Sequence, residues 1–192
     1  MSVHPNSVLQ NPSGGFPDFR TDEGSEWNDY FGIDAYPVGL VNRQEVLHTE
    51  NWDDAIANMV NYDAPVRLIV KSEYYDDTRE LRLSIHSKFL QDVTSDDVRL
   101  IVCVMENNII GKQVTPEGVV DNYVHRYVFR GTTDNLPWGR SLGNAVTAGS
   151  NFITNMQLAL DENYNADEVT IVAFITYDTN KQVLMAAEKK IK

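Results

Sequence analysis

Hydrophobic and polar positions along this 192-residue chain follow two different periods. Near the start the apolar residues recur at helical spacing. Trp27, Tyr30 and Phe31 fall at i, i+3 and i+4, which predicts a short helix with one apolar face. Thr21 stands where its hydroxyl can cap that helix, Asp22 and Glu23 suit its positive end, and Gly32 stops it. Val38–Val41 predicts a short strand. A second helix, from Trp52 to about Tyr62, carries Trp52, Ile56, Met59 and Val60 on one face, with Asn51 as its cap and Asp63-Ala64-Pro65 as its end. From Val66 the period becomes two. Val66, Leu68 and Val70 alternate with Arg67, Ile69 and Lys71. After the turn Asp76-Asp77-Thr78-Arg79, the residues Leu81, Leu83, Ile85 and Phe89 alternate with Arg82, Ser84, His86 and Lys88. Val98–Met105 is apolar on both faces. Tyr123–Arg130, Asn151–Leu160, Glu168–Tyr177 and Gln182–Ile191 complete a set of seven predicted strands, the last two joined by Asp178-Thr179-Asn180-Lys181.

Many short strands, hairpin turns and no helical pattern predict an antiparallel β-sandwich of immunoglobulin-like type over residues 64–192. The Cys…Trp…Cys spacing of true immunoglobulin domains is missing. The fold class is α+β, with the boundary near Asp63–Pro65. No Ser/Gly linker separates the two segments, so they are expected to pack together. The string Phe31-Gly32-Ile33-Asp34-Ala35-Tyr36-Pro37-Val38-Gly39-Leu40-Val41-Asn42-Arg43 looks like the cis-proline loop of a thioredoxin-like fold. The Tyr36–Pro37 bond is therefore expected to be cis, which costs an X-Pro bond only about 0.5–1 kcal/mol. Residues 1–63 then read as the C-terminal portion of a thioredoxin-like domain. The C-x-x-C that usually accompanies such a loop is absent.

Composition narrows the function classes. Hydrophobic content is 42% and charged content 23%, ordinary for a globular protein. No apolar run approaches a membrane span of roughly 18 residues, and no signal peptide opens the chain. Met1-Ser2-Val3-His4-Pro5 reads like the end of a buried strand, so the chain is expected to lack its natural N-terminus. The formal net charge is −12, and residues 1–63 hold eleven acids against two bases, Arg20 and Arg43. Such a chain repels phosphate backbones, so nucleic acid is not an expected partner. The acids serve solubility or attract a cation or a basic peptide.

No motif nominates a catalytic, cofactor or metal residue. The one cysteine, Cys103, lies in an apolar run and reads as a buried, inert thiol. The four histidines make no H-x-x-x-H or H-E-x-x-H pair, so no zinc site is written. His125 shares a predicted strand face with Tyr123, Tyr127 and Phe129, either as a hydrogen-bonded core residue or as a ligand or base. No G-x-S-x-G elbow occurs. The stretch Asp161–Asp167 is either a plain acidic turn or a calcium loop, although it lacks the spacing and glycine of an EF-hand. Trp138 sits in the Gly/Pro-rich segment Gly131–Ser150, as a lid over the core or as a recognition aromatic.

Several of these strings together resemble the outer-membrane-protein-28-related lipoproteins of Bacteroides-type bacteria. The resemblance is carried by Pro17-Asp18-Phe19-Arg20-Thr21, Tyr30-Phe31-Gly32, Tyr36-Pro37-Val38-Gly39-Leu40-Val41-Asn42-Arg43, the Trp52 helix, Tyr123–Arg130 and the closing Val172–Glu188. It implies a thioredoxin-like domain followed by an immunoglobulin-like one, and a lipid-anchored, cell-surface place at the outer membrane. The lipidated cysteine, and the first strand and helix of the thioredoxin unit, have no counterpart here. The resemblance further implies a non-enzymatic accessory protein without cofactors. Its expected partners are outer-membrane proteins, such as a SusC/SusD-type importer of peptide or glycan. The competing readings are a thiol–disulfide oxidoreductase whose active-site half lies elsewhere, and a carbohydrate-binding sandwich with Trp138 and Tyr123 lining a groove.

Overall fold

The structure, a computed structural model, describes residues 14–34, 36–60 and 62–192, apart from the side chains of Thr49 and Ser95. The strand end expected at Met1–Pro5 lies outside the described residues. Helix α1 (Asp22–Phe31) is capped by the Thr21 hydroxyl, which accepts from the Gly24 N–H at 2.9 Å, and ends at Gly32 with φ +62°. Strands β1 (Val38–Val41) and β2 (Glu45–His48) form an antiparallel hairpin whose second strand the periodicity did not predict. Helix α2 (Trp52–Met59) follows directly from a 3-10 turn, Thr49–Asn51. Because that turn leaves Asn51 helical, its side chain makes no cap bond, and the helix stops three residues before Tyr62. An N-cap needs extended backbone.

The rest is antiparallel β, giving an α+β chain dominated by strands. A three-stranded sheet has the order β10 (Asn151–Ala159), β4 (Glu80–Phe89), β3 (Val66–Tyr75). A larger sheet has the order β12 (Val183–Lys190), β11 (Val169–Tyr177), β5 (Val93–Glu106). The far edge of β5 is shared. Its first half pairs with β9 (Arg140–Val146) and its second half with β8 (Val128–Thr132). A two-stranded ribbon, β6 (Ile109–Thr115) and β7 (Gly118–His125), stands apart.

Two expected elements are corrected here. The single strand expected over Tyr123–Arg130 is two strands, because Tyr127 takes φ +49° and its N–H is drawn to Asn107 Oδ1 at 2.9 Å. The loop expected over Gly131–Ser150 contains β9. Its Gly143 and Ala145 sit at positive φ and its pairing with β5 slips register, so it shows no clean alternation.

β5 and β11 are covered on both faces. Val98, Leu100, Val102 and Val104, with Val169, Ile171, Ala173 and Ile175, point into the core against Leu81, Leu83 and Ile85 of β4. The alternate residues Ile101, Cys103, Met105 and Phe174 form a second cluster with Phe129 and Trp27 of α1. Trp27 is 3% exposed and stacks on Phe129 with centroids 4.7 Å apart. Glu23 accepts from the Thr132 N–H at 3.0 Å and so ties the start of α1 to β8. The helix is therefore a third layer on the larger sheet. Trp27→Ala is expected to destabilise the chain by about 3–5 kcal/mol, the usual cost of emptying a buried aromatic site. Urea unfolding measures this. Ile56→Ser, at an exposed position of α2, is expected to change stability by no more than about 0.5 kcal/mol.

Candidate functional site

The turn of the β1–β2 hairpin reaches over the outer face of the larger sheet. Asn42 and Arg43 both take positive φ, +58° and +57°, and the Gln44 N–H bonds back to the Val41 carbonyl. That pair of angles is a type I′ turn, matched to the twist of a hairpin. The Asn42 carbonyl accepts from the Val183 N–H at 3.3 Å, which docks the tip at the start of β12. Arg43 then enters the body of the protein and is only 8% exposed.

The Arg43 guanidinium lies in an aromatic cage. Its carbon sits 4.3 Å from the Trp27 ring centroid, 4.6 Å from Phe174, 5.7 Å from Phe31 and 6.0 Å from Trp138. Neither Nη atom has a hydrogen-bond partner among the described residues. Burial draws its pKa down to about 10, so the group is still a cation at neutral pH. A desolvated guanidinium over ring faces gains about 2 kcal/mol or more from the ring quadrupoles. The cage is the principal attraction holding this charge inside.

Trp138 roofs the cage. Its ring lies 4.8 Å from Tyr30 and 6.4 Å from Phe31, and Lys181 Nζ approaches its outer face at 5.0 Å. The loop carrying it is pinned from below, where the Trp27 indole N–H donates to the Pro137 carbonyl at 2.8 Å. The next residue, Gly139, has φ +72°, and a Cβ there would collide with the Leu100 carbonyl oxygen of β5. Only glycine brings the loop this close. Trp138 is half-buried, with its outer edge beside the half-exposed Tyr30.

The other sequence-nominated residues lie apart. The Tyr36–Pro37 peptide is cis, and the Tyr36 hydroxyl donates to Asn28 Oδ1 at 2.6 Å on α1. His125 is 5% exposed, with Phe19 and Tyr123 edge-on to its ring at 4.9 and 5.0 Å. Burial holds its pKa below the usual imidazole value, so it is neutral at pH 7. In the Asp161–Asp167 turn, Arg79 Nη2 donates to the Asp161 and Tyr164 carbonyls, both at 2.7 Å, and the Asp161 carboxylate accepts from the Asn163 N–H at 2.8 Å. Among the described residues no group of three or more His, Cys, Asp or Glu is placed to hold a metal ion. No described helix is long and apolar enough to cross a membrane.

Cys103 lies in the cluster beneath Trp27, fully buried, and burial pushes its thiol up to about 12 despite the nearby Arg43. A thiol this protonated is a poor nucleophile. The described geometry can hold a cation, stack rings and present surfaces. Arg43 itself was not nominated from the sequence as a site residue, although it closes the Tyr36–Arg43 string that carried the resemblance.

Comparison with known proteins places the chain. The family model described as outer membrane protein Omp28 matches residues 24–192. Among solved structures, HBP35 of Porphyromonas gingivalis is similar, with 17% identity, TM-score 0.71, and coverage of 88% of this chain and 58% of that one. This chain thus spans less than two thirds of that structure, and at such identity the likeness concerns the fold. A domain of the outer membrane lipoprotein Omp28 from Porphyromonas gingivalis has 20% identity, TM-score 0.47, and coverage of 68% of this chain and 93% of that one. No curated protein sequence matches.

The Cys103 thiol is expected not to react with dithiobis(nitrobenzoate) in the folded chain at pH 8, and to react fully in urea. Its pKa is raised on folding, so the folded state keeps a proton that the unfolded state releases above pH 9. The stability of the natural chain relative to Cys103→Ala is therefore expected to fall as pH rises from 9 towards 12. Parallel urea titrations follow that difference.

Proposed function

This chain belongs to the Omp28 family of outer membrane proteins, and we propose that it works at the outer membrane by binding rather than by catalysis. In this reading it is a surface-exposed accessory lipoprotein. The observation that carries the proposal is the open apolar face of the β1–β2–α2 unit. Val60 is 75% exposed, and Ile56 one helical turn before it, Tyr62 two residues after it and Tyr36 ahead of β1 are exposed too. No residue of α2 is buried, although Trp52 is wedged under Gly39 and its indole N–H bonds the Leu47 carbonyl. Several large apolar side chains left exposed on one small unit suit an interaction surface. The cage fixes this unit to the sandwich, so the face is presented in one orientation.

Topology supports the finer fold reading. The orders β10–β4–β3 and β12–β11–β5 are those expected of the E–B–A and G–F–C sheets of an immunoglobulin-like sandwich, which supports that reading for residues 64–192. The segment up to residue 63 supplies a hairpin and a closing helix, as the C-terminal portion of a thioredoxin-like domain does. The partner we favour is a SusC/SusD-type importer of peptide or glycan, a barrel with a lid lipoprotein. The alternative is a thiol–disulfide oxidoreductase whose cysteines lie in a longer protein, and the hairpin–helix order is what favours it. Cys103 is too deeply buried to serve there.

Affinity purification from detergent-solubilised outer membranes, with mass spectrometry of the recovered proteins and of this protein's own N-terminal peptide, tests the proposal. The expected result is an importer barrel with its lid lipoprotein, and a lipid-modified N-terminal cysteine. Ile56→Asp with Val60→Asp is expected to abolish that recovery and leave the melting temperature within a few degrees. Recovery of the protein alone, with a C-x-x-C peptide upstream, would overturn the accessory reading.

A further inference from the structure

The outer face of the β3–β4–β10 sheet is unlike the rest of this acidic chain. Strand register sets its outward side chains in rungs. Arg67 stands opposite Lys88, which stands opposite Asn151, and the next rung is Ile69, His86 and Ile153. Lys71, Ser84 and Asn155 follow, then Glu73, Arg82 and Gln157, and last Tyr75, Glu80 and Ala159. The third and fourth rungs line a shallow depression of about 460 Å³. The face thus carries four cations and two carboxylates on a chain of net charge −12.

The carboxylates are already engaged. Glu80 accepts from Arg82 at 2.5 Å and from the Gln157 amide at 2.7 Å, and Glu73 accepts from the Tyr75 hydroxyl at 3.2 Å. Arg67, Lys71 and Lys88 are exposed and make no ion pair among the described residues. Arg67 and Lys88 face each other directly, an arrangement that costs stability unless an anion lies between them. At the other end, Arg82 sits 4.8 Å above the Tyr75 ring and braces it as an exposed platform. Ser84, Asn155 and Gln157 supply hydroxyl and amide groups between the two ends.

We propose that this face binds an acidic glycan, a sugar chain bearing carboxylate or phosphate groups. The unpaired cations take the anionic groups, the hydroxyl and amide rungs take sugar hydroxyls, and Tyr75 stacks on a ring face. The apolar side chains here are Ile69, Ile153, Tyr75 and the small Ala159, and the one aromatic ring besides the His86 imidazole is Tyr75. A protein partner wants an aromatic-rich, charge-poor centre. A bilayer wants side chains to insert. The site goes beyond the importer reading, since it lies on the sandwich and not on the β1–β2–α2 unit. Binding by the purified chain therefore stands or falls separately from recovery of an importer.

The test is affinity electrophoresis and calorimetry of the full chain with polygalacturonate and with a phosphomannan, against neutral dextran and phosphatidylglycerol vesicles. At least one acidic glycan is expected to bind, more weakly as salt rises, while dextran does not compete. The triple variant Arg67→Ser, Lys71→Ser, Lys88→Ser is expected to weaken binding about ten- to hundredfold. The charge-matched variant Arg126→Ser, Lys189→Ser, Lys190→Ser is expected to change it no more than about threefold. All exchanged positions are exposed, and melting curves check that each variant folds. Equal loss in both variants, absence of binding to either glycan, or retention only by the vesicles would overturn the proposal.

Discussion

A buried guanidinium with four aromatic rings around it decides how this chain is put together. Arg43 arrives at the tip of a tight hairpin and is lodged between α1, β11 and the Trp138 loop. Removing such a group from water costs several kcal/mol when no carboxylate answers it. Here ring faces answer it. Each ring is itself held for another reason. Trp27 is stacked on Phe129 and bonded to Pro137, Phe174 belongs to the face of β11, and Trp138 is fixed by the close approach of Gly139 to β5. The rings thus have anchors of their own besides Arg43, and the hairpin sits where Arg43 fills the space between them.

The β1–β2–α2 unit takes its placement from the cage, whereas the layers beneath it are held by their own packing. β5 and β11 can be apolar on both faces because the three-stranded sheet covers one side and α1 the other. The β1–β2–α2 unit contributes almost nothing to that burial, so its orientation rests on the hairpin tip. Its exposed apolar residues and the sandwich sheet that carries the unpaired cations belong to different elements. The molecule thus offers an apolar surface on one unit and a cationic, hydroxyl-rich surface on another.

Local signals in the sequence were legible. Thr21 and Gly32 bracket α1 through their own backbone chemistry, the Asp76–Arg79 turn closes a hairpin, and the two-faced apolar run at Val98–Met105 marks a strand with a layer on each side. What could not be read depends on contacts between distant residues or on left-handed backbone at residues other than glycine. Tyr127 splits a strand that looks continuous, Ala145 hides β9 among loop residues, and a 3-10 turn deprives Asn51 of its capping role. In the sequence Arg43 is one of two bases in an acidic segment and the end of a motif. Its burial follows only once Trp27, Phe31, Trp138 and Phe174 are brought together. The rungs of the β3–β4–β10 face are likewise invisible until register places Arg67 beside Lys88.

A double-mutant cycle between Arg43→Met and Trp27→Leu, read by urea unfolding, tests the central claim most directly. Methionine fills the space of the arginine stem and carries no charge, so the cycle isolates the attraction between the guanidinium and the ring. A caged cation that holds the hairpin predicts a favourable coupling of at least about 1 kcal/mol. Additivity within about 0.3–0.5 kcal/mol would contradict it, and would mean that Arg43 is merely tolerated inside a structure held together by apolar packing alone.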